Sequence, residues 1–209
     1  MGFREKIAKE KRKQFKDFEY WGKPVAGFGD PKARLVVIGL APAAHGGNRT
    51  GRVFTGDGSA KFLVKHLFDA GFSNQPTSET RIDGLEYKDC YVTAAVRCVP
   101  PDNKPSLEEI ETCASYLEVE LQLLKNSKAV LALGKIAFDS FIDFAKKHYN
   151  VRGGLKFQHG EKYILSEKLP VVFASYHPSP RNTNTGKMTS SMFTQVLNDI
   201  KSYLAQIQG

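Results

Sequence analysis

The chain has few of the features that mark a secreted, redox-active or membrane-bound protein. Three cysteines in 209 residues do not make the dense framework of a disulfide-stapled extracellular domain. The longest apolar runs are short segments such as AVLAL at 129–133, far below the roughly 20 residues a membrane span needs. The basic N-terminus is not followed by an apolar stretch and a small-residue cleavage site, so no secretory signal is visible. A cytoplasmic protein, or a nuclear one in a eukaryote, is expected. Neither GxxxxGK followed by Ser or Thr nor GxGxxG occurs, which sets aside the common nucleotide-binding loops. No repeat or low-complexity linker divides the sequence. One domain over residues 1–209 is expected, with 1–34 a basic helix and loop packed on the rest.

What is abundant is positive charge and short buried-type strands. Thirty Lys and Arg against 22 Asp and Glu give a formal charge of +8, which favours a polyanionic partner through counterion release. Phe3, Ile7, Phe15 and Phe18 recur at roughly helical spacing and predict an amphipathic helix over 3–18. Strands are predicted at Leu35 to Gly39, Cys90 to Val96, Lys128 to Leu133 and Val171 to Ser175. Helices are predicted from about Ser59 to Gly71, from Ser106 to about Leu124, from Gly134 to about His148, and from Met188 to Ile207. Ser106 with Glu109 three residues on reads as a capping box. Residues 151–167 read as a short hairpin or irregular strand pair. Strands alternating with helices imply an α/β fold, a three-layer α/β/α sandwich around a mostly parallel, four-stranded sheet.

Two strand ends carry unusual loops. LVVIGLAPAAHGGNRTGRVFTGD occupies 35–57, and VVFASYHPSPRN begins at Val171. In open parallel sheets ligands bind outside the carboxyl ends of the strands, so two loaded strand-end loops point to one pocket. The motifs Gly39-Leu40-Ala41-Pro42, Asn48-Arg49-Thr50-Gly51-Arg52, Phe54-Thr55-Gly56-Asp57 and His177-Pro178-Ser179-Pro180 resemble the uracil-DNA glycosylase superfamily, above all its type B, or family 5, branch. YWGKPVAGFGD, NQPTS and AAVRCVPPDNKP resemble the same branch, so the likeness covers nearly all the chain. The superfamily's α/β/α sandwich agrees with the fold read from periodicity.

The resemblance implies roles that the chemistry can be asked to justify. Breaking the bond between base and deoxyribose leaves an anionic base and an oxocarbenium-like sugar, and the base must first leave the stack. His177 matches the histidine that hydrogen-bonds the pyrimidine's carbonyl oxygen as charge develops there. Phe54 matches the aromatic residue on which the extruded base stacks, with core packing as its alternative. Gly39, Leu40 and Ala41 match the first motif, but Leu40-Ala41 carries no polar group to activate water. Asp57 is the candidate for that task, with helix capping as its alternative. Ala94 stands where several branches place an asparagine that reads uracil's edge. Its methyl implies relaxed specificity, extending to other deaminated bases such as hypoxanthine. Asn103 either lines the pocket or makes a turn. Asn48, Arg49 and Arg52 either steer phosphates or shape their loop, and for the arginines a structural salt bridge is equally open. Ser179, Pro180, Arg181 and Asn182 are expected against the DNA, with Arg181 where other branches present an apolar wedge.

The cysteines conflict with the resemblance. Cys98 and Cys113 match the second pair of four thiolates that hold a 4Fe-4S cluster in this branch, and such a cluster usually needs four. Cys90, on a predicted strand, reads as a buried small hydrophobe. An N-terminal segment missing from this sequence, loss of the cluster, and ligation by other groups are all open, the first being preferred. The expectation is a monofunctional, monomeric DNA glycosylase acting on damaged, double-stranded DNA, hydrolysing the N-glycosidic bond to leave an abasic site. No lysine stands out as a Schiff-base nucleophile. The alternatives are a catalytically weak damaged-DNA-binding module and a small-molecule N-glycoside hydrolase.

Overall fold

A computed structural model of the chain describes residues 2–207; Met1, Gln208 and Gly209, included in the one-domain expectation, lie outside the described residues. In chain order the elements are α1 (Phe3–Glu10), β1 (Phe28–Gly29), β2 (Leu35–Gly39), α2 (Gly47–Thr50), α3 (Gly58–Asp69), β3 (Cys90–Ala94) and α4 (Leu107–Leu123). They continue with β4 (Ala129–Leu133), α5 (Lys135–Tyr149), β5 (Lys162–Tyr163), β6 (Val171–Ser175), α6 (Pro180–Asn184) and α7 (Ser190–Gln206).

Every residue of β2, β4 and β6 is buried, the signature of a parallel sheet covered on both faces. Alternate side chains serve two cores. Leu35, Val37, Leu131, Leu133 and Phe173 pack with Leu63, Leu67, Phe193 and Leu197 of α3 and α7. Val36, Ile38, Val130, Ala132 and Val172 pack with Leu117, Leu121, Phe138 and Phe141 of α4 and α5. The three expected layers are therefore present.

The sheet has six strands in the order β1-β3-β2-β4-β6-β5, not four. Its parallel core is the expected β3, β2, β4 and β6; β1 and β5 add two-residue antiparallel edges. Such edges escape a pattern search because two residues show no alternation. The chain leaves β2 toward β3 on one side, and leaves β4 toward β6 on the other. A crevice opens at this reversal, outside the carboxyl ends of the strands.

Local chemistry sets the boundaries. Ser106 Oγ accepts from Glu109 N at 3.1 Å while Glu109 Oε2 accepts from Ser106 N at 2.8 Å, the expected capping box of α4. The predicted helix over 3–18 breaks at Lys11, whose φ is 49°; a short 3-10 turn follows at Lys13–Phe15. No α1 residue is buried, so little packing holds a longer helix, while Phe15 and Phe18 are drawn onto Arg49. The expected β3 to Val96 ends at Ala94, although Ala95 N and Val96 N still donate to Gly39 O and Leu40 O. Residues 151–167 supply one short strand instead of a pair. The closing helix starts at Ser190 because Thr189 caps it, its hydroxyl accepting from Met192 N at 3.2 Å. Among the described residues no helix is long and apolar enough to cross a membrane.

Candidate active site

At the carboxyl ends of the parallel strands lies a cleft of about 510 Å³, within the size range of small-molecule sites. The loop after β2 gives Leu40, Ala41, Pro42, Ala43, Val53 and Phe54, and the start of α3 gives Asp57, Gly58 and Ser59. Ala94 comes from the end of β3, Pro100 and 102–104 from the loop behind it, and His177, Ser179, Pro180 and Arg181 from the loop after β6.

Asp57 caps α3. Its Oδ1 accepts from Ser59 N at 2.9 Å and Ala60 N at 3.0 Å; Oδ2 accepts no hydrogen bond among the described residues. Both roles weighed for Asp57 thus fall on one side chain, a cap on one oxygen and a free oxygen on the other. A Cβ on Gly46 would lie 2.1 Å from Oδ2, so glycine there lets the carboxylate sit against the preceding turn. Burial raises the Asp57 pKa above the usual carboxylate range, against the opposing pull of the Ala60 and Ser59 amides and Arg49; Glu79 adds to the rise.

His177 follows β6 on the other wall. Its carbonyl accepts from Asn182 Nδ2 at 2.8 Å, and its Cβ lies beside Gly134, just after β4. No hydrogen bond engages its ring among the described residues. Burial lowers its pKa to about 4, so the imidazole is neutral at physiological pH and offers one N–H as donor.

Phe54 holds φ at 45°, a left-handed conformation costing on the order of 1–3 kcal/mol for a non-glycine residue. Its ring lies over Gly39, where a Cβ would come within 2.6 Å, and faces the His177 ring at 6.1 Å between centroids, tilted by 27°. Gly39 itself does not line the cleft; its missing side chain is the space the Phe54 ring fills. Ala94 is held at the wall by the network behind it. Glu120 of α4 accepts from Thr93 Oγ1 at 2.5 Å and Gly27 N at 3.0 Å and pairs with Arg97 at 2.6 Å.

Several residues expected against DNA serve the scaffold instead. Asn48 is 1% exposed and its Nδ2 donates to Arg4 O at 3.1 Å. Arg52 is 3% exposed and meets Asp83 at 2.8 Å and Ser78 and Thr55 at 2.9 Å. Burial opposes ionisation of Asp83, but Arg52 and the amides of Glu79, Leu85 and Thr80 outweigh it and hold its carboxyl below the usual range. Arg49, 7% exposed, donates to His45 O and Gly56 O. For these residues the structural alternative is the one the geometry favours, because guanidinium and amide donors spent inside cannot reach a phosphate. Asn182 lies outside the lining and braces His177, and Ser179 caps α6.

Lys104 was not singled out from sequence, although it stands in the PPDNKP loop already noted for Asn103. Asp102 and Asn103 take φ values of 52° and 56°. Two successive left-handed residues of the types that tolerate that conformation turn the loop back onto the cleft. Lys104 and Arg181 are both exposed, and neither side chain makes an ion pair among the described residues. Pro42 closes the Gly39-Leu40-Ala41-Pro42 motif without having been given a role of its own, and no sequence signal marks Val53.

The three cysteines of this sequence cannot by themselves supply the four thiolates of a 4Fe-4S cluster. Cys98 Sγ accepts from Arg4 at 3.1 Å, and Cys113 Sγ accepts at 3.5 Å from the N–H of Arg97, the residue before Cys98. Cys90 lies in the core against β2, where burial pushes its thiol pKa up. Among the described residues no three His, Cys, Asp or Glu side chains are grouped to hold a metal ion.

Comparison with known proteins establishes the family. The family model of the uracil DNA glycosylase superfamily matches residues 26–201. A type-5 uracil-DNA glycosylase of Pyrobaculum aerophilum is 46% identical over 187 residues, covering 88% of this chain and 78% of that protein. One of Thermus thermophilus is 46% identical over 202 residues, covering 96% and 89%. A type-4 enzyme of Sulfurisphaera tokodaii is 29% identical over 189 residues, covering 88% and 78%.

Proposed function

The chain belongs to the uracil-DNA glycosylase superfamily, and from that premise we propose that its cleft excises uracil, and other deaminated bases such as hypoxanthine, from double-stranded DNA. The observation that carries this reading is the convergence of Phe54 and Asp57, from the β2–α3 connection, with a neutral His177, from the loop after β6, on one cleft at the strand ends. The extruded base stacks on Phe54. The C1′–N bond of the nucleotide breaks with its electron pair going to the base. A neutral His177 N–H donates to the carbonyl oxygen where that negative charge collects, which avoids the cost of burying a cation before the charge exists. Asp57, whose pKa burial raises and whose Oδ2 is uncommitted, orients water toward C1′ and, as the carboxylate, faces the cationic sugar; a general base works best when its pKa is drawn toward the working pH. Water's oxygen joins C1′, its proton leaves, and an abasic site and free base remain.

Ala94 supports breadth. A methyl at the base edge leaves no buried donor or acceptor unpaired when the wrong base enters, so it supplies little rejection. Lys104 and Arg181, both lining the cleft and both exposed, suit the phosphates beside the extruded nucleotide.

The test is alkali strand scission of duplex oligonucleotides carrying uracil or hypoxanthine, with wild type, His177→Ala and Asp57→Ala. The reading expects excision of both bases by the wild type and loss with either variant. Excision of uracil alone would remove the role given to Ala94. Tight damage binding without product would replace the enzyme with a binding module.

A further inference from the structure

Arg49 is buried beside the cleft without lining it, and its bonds converge on Asp57. Nε donates to His45 O at 2.8 Å and the terminal nitrogen to Gly56 O at 3.5 Å. Each acceptor immediately precedes a residue that places the Asp57 carboxylate. His45 precedes Gly46, against which Oδ2 lies, and Gly56 precedes Asp57 itself. Gly56 has φ of 74°, and a Cβ there would strike the guanidinium at 2.1 Å. The outer side of the guanidinium is covered by Phe15 at 4.3 Å and Phe18 at 5.3 Å. Phe15 also lies against His45 at 6.4 Å, whose Nδ1 is hydrogen-bonded to Tyr20 Oη at 2.9 Å.

We propose that Arg49 is a positioning residue for Asp57, joining the 45–46 and 56–57 turns, and that the Phe15–Phe18 segment clamps it in place. The N-terminal segment, which precedes the family match at 26–201, is thereby part of the catalytic apparatus and not only a basic appendage. This rests on the reading of Asp57 as the water-side residue. A guanidinium held under two aromatic faces is desolvated on that side, so its field acts on the carboxylate with less screening. The charged groups acting on Asp57 are Arg49 from α2, which favours the ionised form, and Glu79 from the loop after α3, which opposes it. His45, beside Arg49, has its pKa lowered first by burial and then by Arg12 and Arg49.

The experiment is single-turnover uracil excision from about pH 4.5 to about pH 9, on Arg49→Met, Arg49→Lys, Asp57→Asn and the paired Phe15→Leu with Phe18→Leu, each checked by its melting curve. Wild type should show an acidic limb that Asp57→Asn abolishes together with most of the rate. Arg49→Met should move that limb to higher pH, because the cation that favours the carboxylate is gone. Arg49→Lys should move it less, and the phenylalanine pair should move it in the same direction. Arg49→Met should leave the salt slope of DNA binding unchanged, where a lost phosphate contact would reduce it by about one. If Arg49→Met does not fold, the lysine variant and the phenylalanine pair carry the test. Uniform loss of rate at every pH with the limb in place would overturn the proposal and leave Arg49 a stabilising residue only. An Asp57→Asn variant that keeps both rate and limb would instead remove the reading of Asp57, and the proposal with it.

Discussion

Replacing Asp57 by asparagine should separate catalysis from stability. Oδ1 carries both cap bonds and Oδ2 carries none, and an asparagine amide oxygen can accept the same two N–H groups, since Asn and Asp cap helices about equally well. What Asp57→Asn removes is a carboxylate whose ionisation burial resists. With the pKa raised in the folded state, the stability from protonation is full below the ordinary carboxylate value and is lost as pH rises through the raised one. Asp57→Asn should therefore melt at or above wild type at neutral pH, the advantage shrinking toward about pH 3.5. Asp57→Ala loses the cap, about 1 kcal/mol, which places it roughly 2–4 °C below the asparagine variant for a chain of this size. Both variants should lose about 10²–10⁴-fold in single-turnover excision. The assays are thermal melts at acidic and neutral pH and quenched-flow excision of uracil. The reasoning fails if Asp57→Asn melts as low as Asp57→Ala at neutral pH, or if it excises within about threefold of wild type.

His177→Ala should cost about 10²–10³-fold in excision rate, the usual worth of one donor to a developing anion. With the His177 pKa near 4, wild type should show no change of rate near pH 6.5 that His177→Ala removes. Lys104→Ala and Arg181→Ala should each lower the slope of log affinity against log salt by about one, read from duplex binding titrations; an unchanged slope would place either side chain in solvent. Arg52→Met removes the cation from an Asp83 carboxylate that keeps the Glu79, Thr80 and Leu85 amides and should cost about 1.5–3 kcal/mol of stability, the worth of a hydrogen bond to a charged group, seen as a drop in melting temperature with the salt slope intact. A reduced slope would return Arg52 to the DNA surface.

The strands were the most legible part of the fold. LVVIG and VVFAS are short apolar runs between polar loops, and their observed bounds, Leu35–Gly39 and Val171–Ser175, are those the sequence predicts. Burial on both faces leaves little freedom for polar residues. Ser106 and Glu109 were equally plain, because a capping box is local. Less legible was whatever depends on partners far away in the chain. Arg52 meets Asp83 across the long loop after α3, and Arg97 meets Glu120 from another element, so neither pair leaves a period or spacing to read. The helix expected over 3–18 fails for the same reason. Its periodicity is genuine, but Phe15 and Phe18 gain more on Arg49 than on a helix with no buried face.

By itself the sequence determined the alternation of strands and helices, the two loaded strand-end loops and the glycines between them, because periodicity, capping and turn chemistry are properties of neighbours in the chain. It also named Phe54, Asp57 and His177 through motifs. Only the tertiary structure decided that these three share a cleft, that Asn48 and Arg52 are spent inside the protein, and that Lys104 and Arg181 line the same opening. Burial lowers the His177 pKa and raises that of Asp57, and burial is a property of everything packed around a side chain, which no local stretch of sequence contains.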